Sequence, residues 1–137
     1  MNFEIKIKEG LGDVRFGMTE AEVTAIMGRA DGVEHIENAA DEPTTVLHYD
    51  ELGLTLFLEG DPQVLACIDI ANEGCTLFGK EVYVLDERTL VKLMVDNNFA
   101  EQDVDQEDWG ERRVTFTRGN IDFYFDDGQM TSIIMGA

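Results

Sequence analysis

The sequence predicts an α+β fold built from two tandem repeats. Each repeat is a short helix followed by an antiparallel meander of three or four strands, and both helices pack on one sheet face. Sliding the chain by 67 positions brings Gly12 to Gly79, Thr19 to Asp86, Ile26-Met27 to Leu93-Met94 and Gly53 to Asn120. The same shift lays the alternating segment Leu54–Glu59 on Ile121–Asp126. One deleted residue near Pro62 then brings Gln63-Val64 to Gln129-Met130 and Ala71 to Ala137. The repeats run from about 10 to 71 and from about 76 to 137. Each would be marginal alone, so the 137 residues are expected to form a single domain in which the repeats share a core or a continuous sheet.

Phe3–Lys8 reads as a short strand with Phe3, Ile5 and Ile7 on one face. Thr19 is placed to cap a helix, and Glu22, three residues on, completes a capping box. Val23, Ile26 and Met27 form its apolar stripe, and Gly28 stops it. Val33–Glu37 is a candidate strand before an acidic loop, Asn38–Pro43. Leu47 and Tyr49 point inward, as do Leu54, Leu56 and Leu58, then Val64, Ala66, Ile68 and Ile70. In the second repeat Asp86 takes the cap position, and Leu90, Leu93 and Met94 supply the stripe. The inward set there is Val114, Phe116, Ile121, Phe123, Phe125, Met130 and Ile134. Asp50–Gly53, Gly60–Pro62, Thr117–Asn120 and Asp127-Gly128 are the hairpin connections.

The formal charge is −19. Between Ala30 and Gly79 there are eleven acids and no lysine or arginine, and a second acidic run spans Glu101–Asp108. Such a field repels phosphates and anionic surfaces, so neither a nucleic acid nor a membrane is an expected partner. It favours encounter with a basic protein, while plain solubility explains the same charge. No signal-peptide pattern and no apolar run of bilayer length is visible, which makes a cytoplasmic location the expectation. Cys67, on a strand, and Cys75, in a connector, then read as reduced thiols.

Constellations for chemistry are sparse. His35 and His48 stand at no motif spacing from a nucleophile, and Ser132, the sole serine, lacks a Gly-x-Ser-x-Gly turn. Asp103-x-Asp105-x-Glu107 resembles the start of a calcium loop, but Asp108 stands where glycine is required and Val114 where glutamate is, so the run reads as a solvated acidic loop. No catalytic, cofactor or metal residue is assigned, and the protein is read as a non-enzyme. The outward strand positions carry more information. Phe57 and Tyr124 face outward at matching repeat positions, accompanied by Leu65, Cys67, Ile133 and Met135 and rimmed by His48, Thr55, Asp122, Thr115 and Arg113. An apolar and aromatic strip with a polar rim has the composition of a binding face. Packing between the repeats, or a bulge that inverts the last strand, would account for the same strip. Trp109, between the acidic run and a strand, reads as a lid on the second sheet or as a loop-borne anchor.

The segment Phe16-Gly17-Met18-Thr19-Glu20-Ala21-Glu22-Val23-Thr24-Ala25-Ile26-Met27-Gly28 resembles the opening of the β-lactamase-inhibitor-protein-like fold. It is similar also to the small lipoprotein of the outer-membrane barrel-assembly machinery, which has a single such unit. The first resemblance implies tandem helix-and-sheet repeats that bind an enzyme target with the concave sheet face; no contact residue is carried over from it. The expected function is a non-enzymatic acidic protein-binding module of inhibitor or immunity type that masks a basic partner. Its expected contacts are Phe57, Tyr124, His48, Asp122, Ile133, Met135 and Trp109. The alternative is a structural or regulatory homo-oligomer with the apolar strip buried between copies.

Overall fold

The computed structural model describes residues 2–38 and 41–137. Its strands and helices follow in the order β1 (Glu4–Lys6), β2 (Gly10–Leu11), β3 (Val14–Arg15), α1 (Glu20–Met27), β4 (Gly32–Asn38), β5 (Asp41–Tyr49), β6 (Leu54–Glu59), β7 (Val64–Ile70), β8 (Thr76–Leu77), β9 (Lys80–Glu81), α2 (Glu87–Asp96), β10 (Gln102–Gln106), β11 (Glu111–Phe116), β12 (Ile121–Asp126) and β13 (Gln129–Gly136). The architecture is α+β. The meanders β4–β7 and β10–β13 join through an antiparallel β13–β7 pair into one eight-stranded sheet, ordered β10-β11-β12-β13-β7-β6-β5-β4. A smaller sheet, β3-β2-β1-β8-β9, holds two short hairpins, each preceding a helix in the chain, with β1 lying parallel to β8.

The helix starts follow from local chemistry. Thr19 Oγ1 accepts from the Glu22 amide at 3.3 Å, and Glu22 Oε1 accepts from the Thr19 amide at 3.1 Å, so two otherwise orphaned donors are satisfied reciprocally. Gly28, at φ 83°, ends α1 in a conformation that a side chain resists. Asp86 accepts from the Thr89 amide at 2.8 Å at the start of α2, and hydrogen bonding from the Thr89 side chain, then from this amide, holds its carboxyl below the usual range. Val23 and Met27 of α1 pack into the core, and α2 contributes the buried Leu90 and Met94 with Val91 and the expected Leu93 half-buried beside them. The expected third member of the first stripe, Ile26, is 40 % exposed, unlike its counterpart Leu93 in α2.

Other expectations change at the strand level. The acidic run 101–108 is largely the edge strand β10, paired residue for residue with β11. The loop expected over Asn38–Pro43 is shortened, since Asn38 pairs with Asp41 and β5 continues from there; Ala39-Ala40 lie outside the described residues. The hairpins β2–β3 and β8–β9 lie where no element was expected. The second turns through Phe78 and Gly79, both at positive φ, as a two-residue primed turn requires.

The inside–outside assignment of the last strands is the main correction. Val64 pairs with Glu59 and Gln129 with Asp126, so the β6–β7 connection is four residues and the β12–β13 connection two. One deleted residue was expected between these loops, and the difference is two. Each return strand also carries a bulge: Phe57 opposes Cys67 while Leu58 opposes Leu65, leaving Ala66 as the extra residue. Likewise Tyr124 opposes Ser132 while Phe125 opposes Met130, leaving Thr131 extra. A one-residue insertion exchanges the two faces for everything beyond it. Leu65, Ile133 and Met135 are therefore buried in the core, and Ile134 and Ala66 leave it half-buried. Ile133 and Met135 are thus removed from the expected outer contact set.

One core cluster collects the inner face of the large sheet (Leu56, Ile68, Phe123, Met135 and their neighbours), the small sheet through Ile5, Leu11 and Leu77, and the helices through Val23 and Leu90. The β13–β7 ladder ends at Gly136 opposite Cys67, which leaves the Leu65 backbone for tertiary use. Leu65 accepts from the Gly17 amide at 2.9 Å and donates to the Met18 carbonyl at 2.8 Å, which ties the approach to α1 to the large sheet. Neither helix is long and apolar enough to cross a membrane. The strand parity has a direct consequence for stability. Ile133→Ala is expected to cost about 2–5 kcal/mol in denaturant unfolding, against about 1 kcal/mol or less for Ile134→Ala; equal costs would contradict the bulged register.

Candidate binding face of the large sheet

The core cluster lies on one side of the eight-stranded sheet, and the other face carries no packed helix or strand among the described residues, although Val46 on it is buried to 3 %. Strand register places its side chains in cross-strand rows. One row runs His48, Thr55, Asp69, Ile134, Asp122, Thr115 and Asp103 from β5 to β10. A flanking row holds Glu34, Val46, Phe57, Cys67 and Gly136. The opposite flank holds Ser132, Tyr124, Arg113 and Asp105.

Phe57 and Tyr124 thus share the outer face, both half-buried, as expected. They do not form a continuous apolar strip. The strands β7 and β13 separate them, and they stand on opposite flanks, so ladder spacing sets them about 14 Å apart across the strands and about 13 Å along them, roughly 19 Å in all. Between them lie Cys67, Ile134 and a polar centre of Asp69, Asp122, Ser132 and Thr55. His48 is on the same face, half-buried, with Nε2 2.9 Å from Glu34 Oε1. Asp122 accepts from the Thr115 hydroxyl. Trp109 lies apart, at the β10–β11 hairpin tip and 74 % exposed, so it closes nothing and the lid expectation is set aside.

The centre of the face is electrostatically uneven. Asp69 and Asp122 flank Ile134 in one row. Burial pushes the Asp69 carboxyl above its ordinary value, against the opposing effect of the Ser132 hydroxyl, which donates to Oδ1 at 3.4 Å. Burial, followed by the charges of Glu59, Asp69 and Asp122, pushes the Cys67 thiol up to about 11, while burial alone accounts for Cys75 at about 12. Both cysteines are free and remain thiols at neutral pH, which makes them poor nucleophiles. Burial and the nearby Asp122 charge also raise Tyr124. The cation of this face is Arg113, whose Nη2 lies 3.7 Å from Asp105; its buried Nε meets no acceptor among the described residues.

No group of three His, Cys, Asp or Glu side chains among the described residues is arranged to hold a metal. Asp103 and Asp105, whose spacing resembles the start of a calcium loop, project from one face of extended strand β10. A surface recess lined by Asp50, Gly53, Leu54, Thr55, Asp69 and Ala71 opens beside the polar centre, and the other recesses lie elsewhere. The face is broad and shallow, a shape suited to a macromolecule more than to an engulfed small ligand. Comparison with family models, curated proteins and solved structures yields no significant match to this chain.

Asp69 and Ser132 escaped the sequence reading. Their one available signal was polarity inside otherwise apolar strand segments, Cys67-Ile68-Asp69-Ile70 and Thr131-Ser132-Ile133. The raised carboxyl of Asp69 gives a stability test. Its ionised form is disfavoured in the fold, so the penalty is absent below the unfolded-state value, grows as pH rises through the carboxylate range, and is complete above the folded value. Asp69→Asn, which keeps an acceptor for Ser132, is expected to raise Tm near neutral pH and leave it unchanged below about pH 3. A gain of equal size at both pH values would show that Asp69 ionisation is not its source.

Proposed function

We propose that this protein is a non-enzymatic binding module that masks a basic protein partner, in the manner of an inhibitor or an immunity protein. The observation that carries the proposal is the uncovered outer face of the large sheet. On it, Phe57 and Tyr124 bracket two carboxylates, Asp69 and Asp122, in a chain of net charge −19. A cationic side chain laid beside the carboxylates offsets the desolvation at Asp69. Half-buried aromatics lose little rotamer entropy on contact, which suits them as anchors. His48 sits at the rim, and Trp109 adds an exposed contact at the hairpin tip. Self-association through this face is the weaker reading, because it would set like charges against each other.

We also propose that the chain is a tandem duplication. Support comes from the hairpin–helix–meander order, which recurs from β2 to β7 and from β8 to β13, and from a bulge in each return strand. Under this reading the two units share their inward residues and have diverged on the surface, so the binding face is one composite surface.

Affinity capture from the source lysate at low salt, followed by a high-salt wash, tests the proposal. A basic protein is expected to be retained and then released, since screening acts most on exposed charges. Phe57→Ala and Tyr124→Ala are each expected to weaken that complex by roughly tenfold or more. Unchanged affinity in both variants would falsify the sheet-face model.

A further inference from the structure

We propose that β10 is a strand-addition site for an extended basic segment of the partner protein, one that alternates lysine or arginine with aliphatic residues. The inference rests on the basic-partner reading above and names how that partner docks. The large sheet ends in two open edges, β4 and β10, each paired on one side alone. An edge strand turns alternate N–H and C=O groups toward solvent, where another chain can pair with them. The two edges differ. The ladder of β4 is broken by a shift between Ile36 and Asn38, the kind of irregularity that blunts an edge. β10 pairs with β11 in unbroken register over Gln102–Gln106, and all five of its residues are exposed.

Side-chain alternation specifies the occupant. Asp103 and Asp105 lie opposite Thr115 and Arg113, on the outer-face side, and Val104, 40 % exposed, lies opposite the buried Val114 on the core side. An added strand therefore presents cations to the two aspartates and an aliphatic side chain to Val104. Arg113 reaches Asp105 at 3.7 Å, whereas Asp103 has no basic partner among the described residues. Glu107 and Asp108 extend the negative field to the hairpin tip, where the exposed Trp109 ring offers a surface for a further cationic side chain. A second copy of this chain is a poor occupant, since pairing β10 with itself would oppose aspartates to aspartates.

The test uses the full chain and two synthetic peptides, one alternating lysine and valine and the other identical but methylated on its backbone amides, followed by NMR hydrogen exchange. The first peptide is expected to protect amides within 102–106. The methylated peptide keeps the charge but not the pairing, and is expected to bind at least about tenfold more weakly. Asp103→Asn combined with Asp105→Asn weakens the first peptide several-fold. Equal binding of the two peptides, protection confined to 32–38 or to the outer face, or no binding at all would each overturn strand addition. The two proposals fail separately. A captured basic partner lost on Phe57→Ala, with no protection at β10, keeps the sheet-face reading and removes this one. Peptide protection at β10 with a partner insensitive to Phe57 and Tyr124 does the reverse.

Discussion

The pairing of β7 with β13 is the constraint on which the rest of the molecule depends. It joins the two meanders into one sheet, setting Ile133 opposite Ile70 and Met135 opposite Ile68, all within the core. That seam exists only because each strand carries one extra residue upstream, Ala66 in β7 and Thr131 in β13. Without the bulges the parity of both strands would reverse, and Ile133 and Met135 would exchange places with the residues now on the outer face. Beyond the end of that seam the Leu65 backbone bonds Gly17 and Met18, which ties the approach to α1 to the same strand.

The outer face follows from that parity. Once Ile68, Ile70, Ile133 and Met135 turn inward, Asp69, Ser132 and Ile134 must turn outward between Phe57 and Tyr124. The half-burial of Asp69 and Cys67 is the electrostatic cost of placing polar groups in the middle of a wide sheet. Bringing a cation there offsets that cost, and the effect is stronger at the centre of the face than at its solvated rim. The acids of β10 continue the field to the sheet edge, so face and edge form one negatively charged surface around the hairpin that carries Trp109.

Much of this architecture was legible from local chemistry. The capping box at Thr19 and Glu22, the stop at Gly28, the cap at Asp86 and the alternation through Leu54–Leu58 and Ile121–Phe125 depend on neighbours within a few residues. The failures fall where the local signal is degenerate. Val64-Leu65-Ala66-Cys67-Ile68 is apolar at every position, and so is Ile133-Ile134-Met135; neither run says which residue faces in. The acidic run at 101–108 was read as a loop because its charge resembles one, yet β11 supplies the ladder that makes Gln102–Gln106 a strand.

The sequence by itself determined the elements, the caps, the apolar content of the core and the negative field, because those reside in side-chain chemistry and short-range spacing. Only the tertiary structure decided which face each return strand presents, which strands end the sheet, and that Trp109 stands in solvent. A bulge is defined by counting residues against a partner strand, and an edge by the absence of a further one. Both are properties of pairing between distant segments, and no local window of the chain contains them.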